Sequence, residues 1–455
     1  MSEAAPNTDA KLVRGDIRMH LVKQTTPMII GVAAIMSIGL VDSYFIGQLG
    51  ADQLAAISFI FPIGVALSSL GVGIMVGINS IVSRALGAND RPLAEGRGNF
   101  GIVFALAMGV VMAGALLALL DPLFALMQAN DTLLPLIRIY MVPYAFGFPL
   151  LLLIMGFNGV LRGQGEANRT SIVSISYAVA NWILDPILIT GAFGFEGFGI
   201  AGAAYATIIG WAVGVAVAFY LLRQTSLPFS PAKVRECDVA QSTKALAGVA
   251  APAAFSNAIN PIGLSVLTAL IAAQGQDAVA GFGAAGRLQS FAVVPLLALS
   301  GAIGGIVGQN WGAGKVERAR RAMVWAAGFC IVYGLVLACI LFAGREWFAS
   351  FFTEDPTVIA EFSRYLAIAA WGYAGYGLLI VGNGALNAVD KAQWALLQSF
   401  GRVFLIMLPI AWLLRPAWGS DAIYAAELGA NIVGGAVALL IVWLVLHRKP
   451  KNSTP

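Results

Sequence analysis

The chain has 455 residues, of which 59% are hydrophobic and only 11% charged, with a mean hydropathy of +0.83. Those proportions exclude a string of soluble domains and describe a polytopic membrane protein. The net charge of +4 is the excess that Lys and Arg produce when they orient membrane helices, so it is no signature of nucleic-acid binding.

The first 16 residues form a polar tail that lacks the apolar core and small-residue cleavage site of a secretory signal. Apolar segments then follow, each long enough to cross roughly 30 Å of hydrocarbon as a helix. The first covers 26–48, with Pro27 near its start and Asp42 near its end. The second covers 55–82, the third 98–120, and the fourth 134–157, which contains Tyr140 and ends beside Asn158. The fifth covers 168–190 and carries Asn181 and Asp185; the sixth covers 199–222 and carries Thr207. A polar, proline-containing linker occupies 223–243. Six more spans are expected at 244–272, 281–307, 321–343, 360–382, 394–414 and 422–446, before a short tail at 447–455. Cys330 and Cys339 share one of these stretches, and with only three cysteines no disulfide framework is implied.

Basic residues test that count, because cytoplasmic loops are enriched in Lys and Arg. Of the 27, 21 fall in segments on the same side as the N-terminus, two (Arg345 and Arg415) fall in loops on the other side, and Arg138, Arg287, Arg364 and Arg402 fall within spans. Twelve spans with both termini cytoplasmic therefore fit the inner (plasma) membrane.

Displacing the chain along itself by 225 residues brings GADQLAA (from Gly50) onto GQDAVAG (from Gly275), RALGAND (from Arg84) onto QNWGAGK (from Gln309), and FNGVLRG (from Phe157) onto GNGALNA (from Gly382). Three matches at one offset indicate an internal duplication. Each half has an even number of spans, so the halves share an orientation and are related by an axis along the membrane normal. Such parallel repeats belong to transporters whose substrate path runs between the halves. The expected fold is all-α, with an N-terminal six-helix bundle over 17–222, the cytoplasmic linker, and a C-terminal six-helix bundle over 244–446.

An ionised side chain in hydrocarbon costs several kcal/mol, so a carboxylate retained within a span is a functional candidate. Asp42, Asp185 and Glu427 qualify, and Glu361 stands at the outer end of its span. Asp42 lies about 9 Å and Asp185 about 8 Å below the outer ends of their helices, and Thr207 about 12 Å below its own. Asn181 is one turn from Asp185 on the same helical face. Two carboxylates, an amide and a hydroxyl at similar depth can coordinate a hard cation such as Na⁺, or share and release protons. Glu427 stands about five residues from its helix end, where an interfacial, snorkelling position is expected. Asn158 and Asn383 read as caps of helix ends, and Pro27 permits a kink in the first span. At the repeat offset Asp42 falls on Leu267 and Asp185 on Ile410, so the carboxylate site is not duplicated. His20 and His447 flank the first and last spans, which leaves no histidine relay within the membrane.

The runs VDSYFIGQLGADQLAA, RALGAND, VGQNWGAGKVERARRA and GIAGAAYAT resemble the multidrug and toxic compound extrusion (MATE) family, from about Arg18 to Trp443. The resemblance implies two six-helix bundles around a central cleft, alternating access, and export of cationic or amphipathic organic molecules against Na⁺ or H⁺ entry. It carries the family's ion-coupling positions onto Asp42, Asn181, Asp185 and Thr207, its first-helix proline onto Pro27, and its cavity positions onto Tyr140 and Asn158. This is the pattern of the DinF-like branch; the acidic residues of the NorM-like branch are missing from 244–272, and 360–382 offers only Glu361. The implied partners are small-molecule substrates and the lipid bilayer, for a monomer that is not an enzyme and needs no cofactor beyond the coupling ion. The alternatives are a flippase for lipid-linked precursors, which the extended superfamily includes, and a channel or receptor.

Overall fold

The computed structural model describes residues 9–130, 132–192, 194–234 and 237–447, and among these the chain is helical almost throughout. The helices that match the expected spans are α1 (Ile17–Gly47), α2 (Ala51–Gly87), α3 (Arg91–Leu126), α4 (Leu133–Gly163), α5 (Ala167–Thr190), α6 (Ile200–Arg223), α7 (Val239–Ala272), α9 (Val316–Ala343), α10 (Pro356–Ala388), α11 (Ala392–Trp418) and α12 (Ser420–His447). Between α7 and α9, α8 consists of two segments, Gln276–Ala292 and Val294–Gly312, bent by 42°. Its break falls just before Pro295, which has no N–H to donate. Eleven of the expected spans are thus single helices among the described residues, the bent pair makes the twelfth, and most extend several residues beyond their apolar windows. A short helix, Arg345–Ser350, lies outside the expected set.

Acidic caps start several of them. Asp16 accepts a hydrogen bond from Arg18 N, Asp90 from Leu93 N, Asp238 from Gln241 N and Asp355 from Thr357 N, which satisfies amides that a helix start leaves without partners.

The duplication is written in the backbone. Left-handed residues recur at the same offset of 225: Gly50 and Gly275 (φ 134° and 122°), Asn89 and Gly314 (61° and 70°), and Gly165 and Asp390 (78° and 64°). Each half also carries one π-helical stretch, Pro186–Thr190 in α5 and Gly401–Met407 in α11. Two six-helix lobes result, α1–α6 and α7–α12.

The lobes meet where both α2 and α8 end. Glycines permit the approach: a β-carbon on Gly87 would strike the Gln309 backbone, and one on Gly312 would strike the Arg84 carbonyl. Ser80 Oγ donates to the Asn387 carbonyl at 2.6 Å, Gln309 Nε2 to the Gly163 carbonyl at 2.8 Å, and Arg84 pairs with Asp390 at 3.3 Å. Residues 9–16, expected as part of a plain polar tail, are instead docked over this end, with Lys11–Val13 forming a 3₁₀ turn. The remainder of that tail and residues 448–455 lie outside the described residues, as do Arg235 and Glu236 of the linker.

Several expectations are corrected. Glu427 is only 6% exposed, because the start of α12 packs against α8 and α10 rather than against the lipid surface. Its carboxylate accepts from Gln289 Nε2 at 2.9 Å and from Tyr365 Oη at 3.1 Å. Asn158 and Asn383 cap nothing, since both lie inside their helices. Asn383 donates to Ser399 Oγ at 3.0 Å and accepts from Gln398 Nε2. The helix α1 runs through Pro27 as one continuous element.

Candidate functional site: a carboxylate cluster in the first lobe

Asp42 stands five residues before the end of α1 and Asp185 five before the end of α5, about 8 Å along each axis. That is the end opposite the seal between the lobes. The α-helical turns of α5 stop at Asp185: Pro186 follows, the backbone widens into the π stretch, and Gly191 closes it at φ 82°. Such local widening re-aims side chains and recurs at functional sites. α6 then lies close against α5, since Gly210 would place a β-carbon 3.0 Å from the Tyr177 carbonyl and 3.7 Å from Asn181 Cβ. Thr207, one turn away from Gly210 on the same helical face, is thereby turned toward α5.

The structure brings the four predicted coupling residues together. The Asp42 carboxyl faces Asp185 and Asn181, and the Tyr140 hydroxyl faces Thr207 within electrostatic range of both carboxylates. Asn181 is 1% exposed, Asp185 0% and Thr207 9%. Most of their polar atoms have no hydrogen-bond partner: Asp42 Oδ1, Asn181 Oδ1 and Nδ2, both oxygens of Asp185, and Thr207 Oγ1. Orphaned polar groups are rare in protein interiors because each one costs its desolvation without return. Nearly all of these orphans are acceptors, on four side chains from three helices. Hard oxygen donors around two carboxylates suit a small cation or exchangeable protons.

Two residues are not part of this cluster. Asn158 lies 18 residues beyond Tyr140 on α4, roughly 27 Å along the axis. Pro27 lies 15 residues before Asp42 on α1, near the sealed end. There it borders a surface cleft with Gln24, Gly165 and Glu166.

Tyr144 and Trp211 are the wall that the sequence reading missed. Tyr144 stacks on Tyr140 with ring centroids 5.7 Å apart and meets Trp211 edge-on at 5.1 Å, and it stands within electrostatic range of Asp42. The four-residue spacing of Tyr140 and Tyr144 on one helix face was the available signal.

Comparison with known proteins agrees with this architecture. The MatE family model matches residues 27–187 and again 252–413, two stretches whose starts reproduce the repeat offset. An FAD transporter of Shewanella oneidensis is 35% identical over 88% of this chain and 88% of its own length. The multidrug export protein MepA of Staphylococcus aureus is 24% identical over 93% of this chain and 92% of its own. Among solved structures, the Vibrio cholerae MATE transporter VcmN in its bent form superposes with a TM-score of 0.89 at 29% identity, covering 94% of this chain and 97% of that one.

Proposed function

The chain belongs to the MATE family of membrane transporters, and from that premise we propose that it is a secondary active exporter exchanging small organic compounds for Na⁺ or H⁺ by alternating access. The observation that carries the reading is the group of unpartnered acceptors on Asp42, Asn181, Asp185 and Thr207. The distribution of Lys and Arg supports an inner-membrane location with both termini, the linker 223–243 and the seal between the lobes on the cytoplasmic side. The carboxylate cluster then stands near the outer surface, where ions arriving down their gradient fill it. Filling neutralises the carboxylates. An ion that binds the closing state more tightly than the open one shifts the equilibrium toward closure and expels substrate.

A second substrate reading is favoured by the relative from Shewanella oneidensis. At 35% identity over most of both chains, a flavin dinucleotide joins the cationic and amphipathic compounds that the DinF-like pattern suggests. The aromatic wall of Tyr140, Tyr144 and Trp211 offers flat apolar rings to either class.

The test is efflux from cells lacking their other pumps, with a panel of cationic dyes and FAD, while the Na⁺ and proton gradients are collapsed separately. Loss of export on collapse of one gradient is expected. Export of every compound that persists with both gradients collapsed would rule out ion-coupled exchange.

A further inference from the structure

The gate between the lobes is crossed by the segment 9–15, which bonds to both lobes. On the first lobe, Lys11 pairs with Glu166, and Asp9 pairs with Arg91 at 3.2 Å. On the second, both backbone polar groups of Leu12 are taken up by adjacent side chains of α8. Its N–H donates to Gln309 Oε1 at 3.0 Å, and its carbonyl accepts from Asn310 Nδ2 at 3.1 Å. The Val13 carbonyl accepts from Lys315 Nζ at 3.2 Å, and the Gly15 carbonyl from Arg318 at 3.0 Å.

The Leu12 side chain, 2% exposed, is wedged between the lobes. A β-carbon on Gly165 of the first lobe would lie 3.0 Å from it, and one on Gly305 of the second 3.6 Å. Gln309 also binds the Gly163 carbonyl across the lobe boundary, so one side chain holds the segment and the gate together.

We propose that residues 9–15 are an intramolecular clasp for the cytoplasmic gate, which must leave its groove before the transporter opens inward. The site recognises its occupant through backbone groups, one apolar wedge and the ion pairs of Asp9 and Lys11, so it fits this particular segment of the chain. Two lobes that separate at this end cannot both keep their contacts with a segment only seven residues long. The clasp therefore favours the closed gate by whatever binding it loses on opening. The proposal rests on the alternating-access reading for its consequence, whereas its geometry concerns only whether the lobes part.

The experiment measures the gate directly. Spin labels at Arg223 and Arg321, both exposed, report the separation of the lobes in purified protein from which Cys237, Cys330 and Cys339 have been replaced. Leu12→Ser removes the wedge, and the double variant Lys315→Ala/Arg318→Ala removes two anchors while leaving residues 9–15 intact. Each is expected to raise the population of separated lobes, by roughly tenfold for the wedge, since losing a buried apolar contact made with the gate closed acts on that equilibrium alone. Should Leu12→Ser fail to fold, the double variant decides. Wild-type distance distributions in well-folded variants overturn the clasp, even in a protein whose ion-coupled export has been demonstrated.

Discussion

Gly202 of α6 lies so close to the Leu188 carbonyl of α5 that any β-carbon there would overlap it. The same carbonyl accepts a hydrogen bond from Phe198 N at 2.7 Å, so it cannot move away without breaking the turn between the two helices. That contact sets the spacing of Thr207 from Asp185. Gly202→Ala is expected to cost about 1–3 kcal/mol through overpacking. Thermal unfolding in detergent checks the stability, and an export assay on the surviving protein checks the site: both should fall together.

Much of this was legible in the sequence because membrane helices announce themselves by length and the duplication by paired motifs. The four residues of the cluster were candidates from the sequence because a carboxylate within a span stands out, and helix ends gave its depth. The network around Glu427 was not legible. Its partners Gln289 and Tyr365 lie 138 and 62 residues away, a separation that no helical period reveals. Proximity to a helix end was misread as proximity to the surface. Arg402, buried in α11 with Asn431 at 2.5 Å and Asn260 at 2.6 Å, was hidden for the same reason. The break in α8 had a visible cause in Pro295, but an unbroken apolar window concealed it.

Glu427 therefore belongs to the packing of the second lobe, with consequences separate from those of the first-lobe carboxylates. Glu427→Ala strands the Gln289 amide donor, while Tyr365 Oη keeps Gln289 Oε1 as its acceptor at 2.9 Å, and should cost about 2 kcal/mol, whereas Glu427→Gln retains an acceptor and should cost less. The unfolding temperatures of the two variants check that order. Neither should change which ion drives export, and a variant whose export lost its dependence on the gradient would place Glu427 in the coupling site.

The orientation of the chain has its own test. An epitope in the loop of residues 191–199 should be accessible from outside intact cells, and one in 223–243 only after permeabilisation. Detection of both from the same side would dismantle the arrangement of six spans per lobe.

Neutralising the cluster should separate transport from assembly. Asp42→Asn and Asp185→Asn each remove ion affinity while making insertion into the bilayer easier. Normal amounts of membrane-inserted protein with export reduced to background are expected of both. Gradient-dependent export at the wild-type rate in both variants would remove these carboxylates from the mechanism.

The deepest consequence is reciprocity. If Na⁺ or H⁺ on the Asp42–Asp185 cluster weakens substrate binding, then substrate must weaken ion binding by the same factor, because the two affinities are linked through one thermodynamic cycle. Coupling free energies of this kind are typically about 1–3 kcal/mol, or roughly 5- to 150-fold in affinity. For a cationic substrate the sign follows from charge. Protons loading the carboxylates at low pH, or Na⁺ at fixed pH, should both lower the affinity for exported substrate, and affinity should recover as either ion is withdrawn. Substrate binding to purified protein across pH 5 to 8, with and without Na⁺, measures this directly, and Asp42→Asn should flatten the response to the ion that uses the site. Wild-type affinity indifferent to both ions over that range would contradict exchange through this cluster, although the family and the fold would stand.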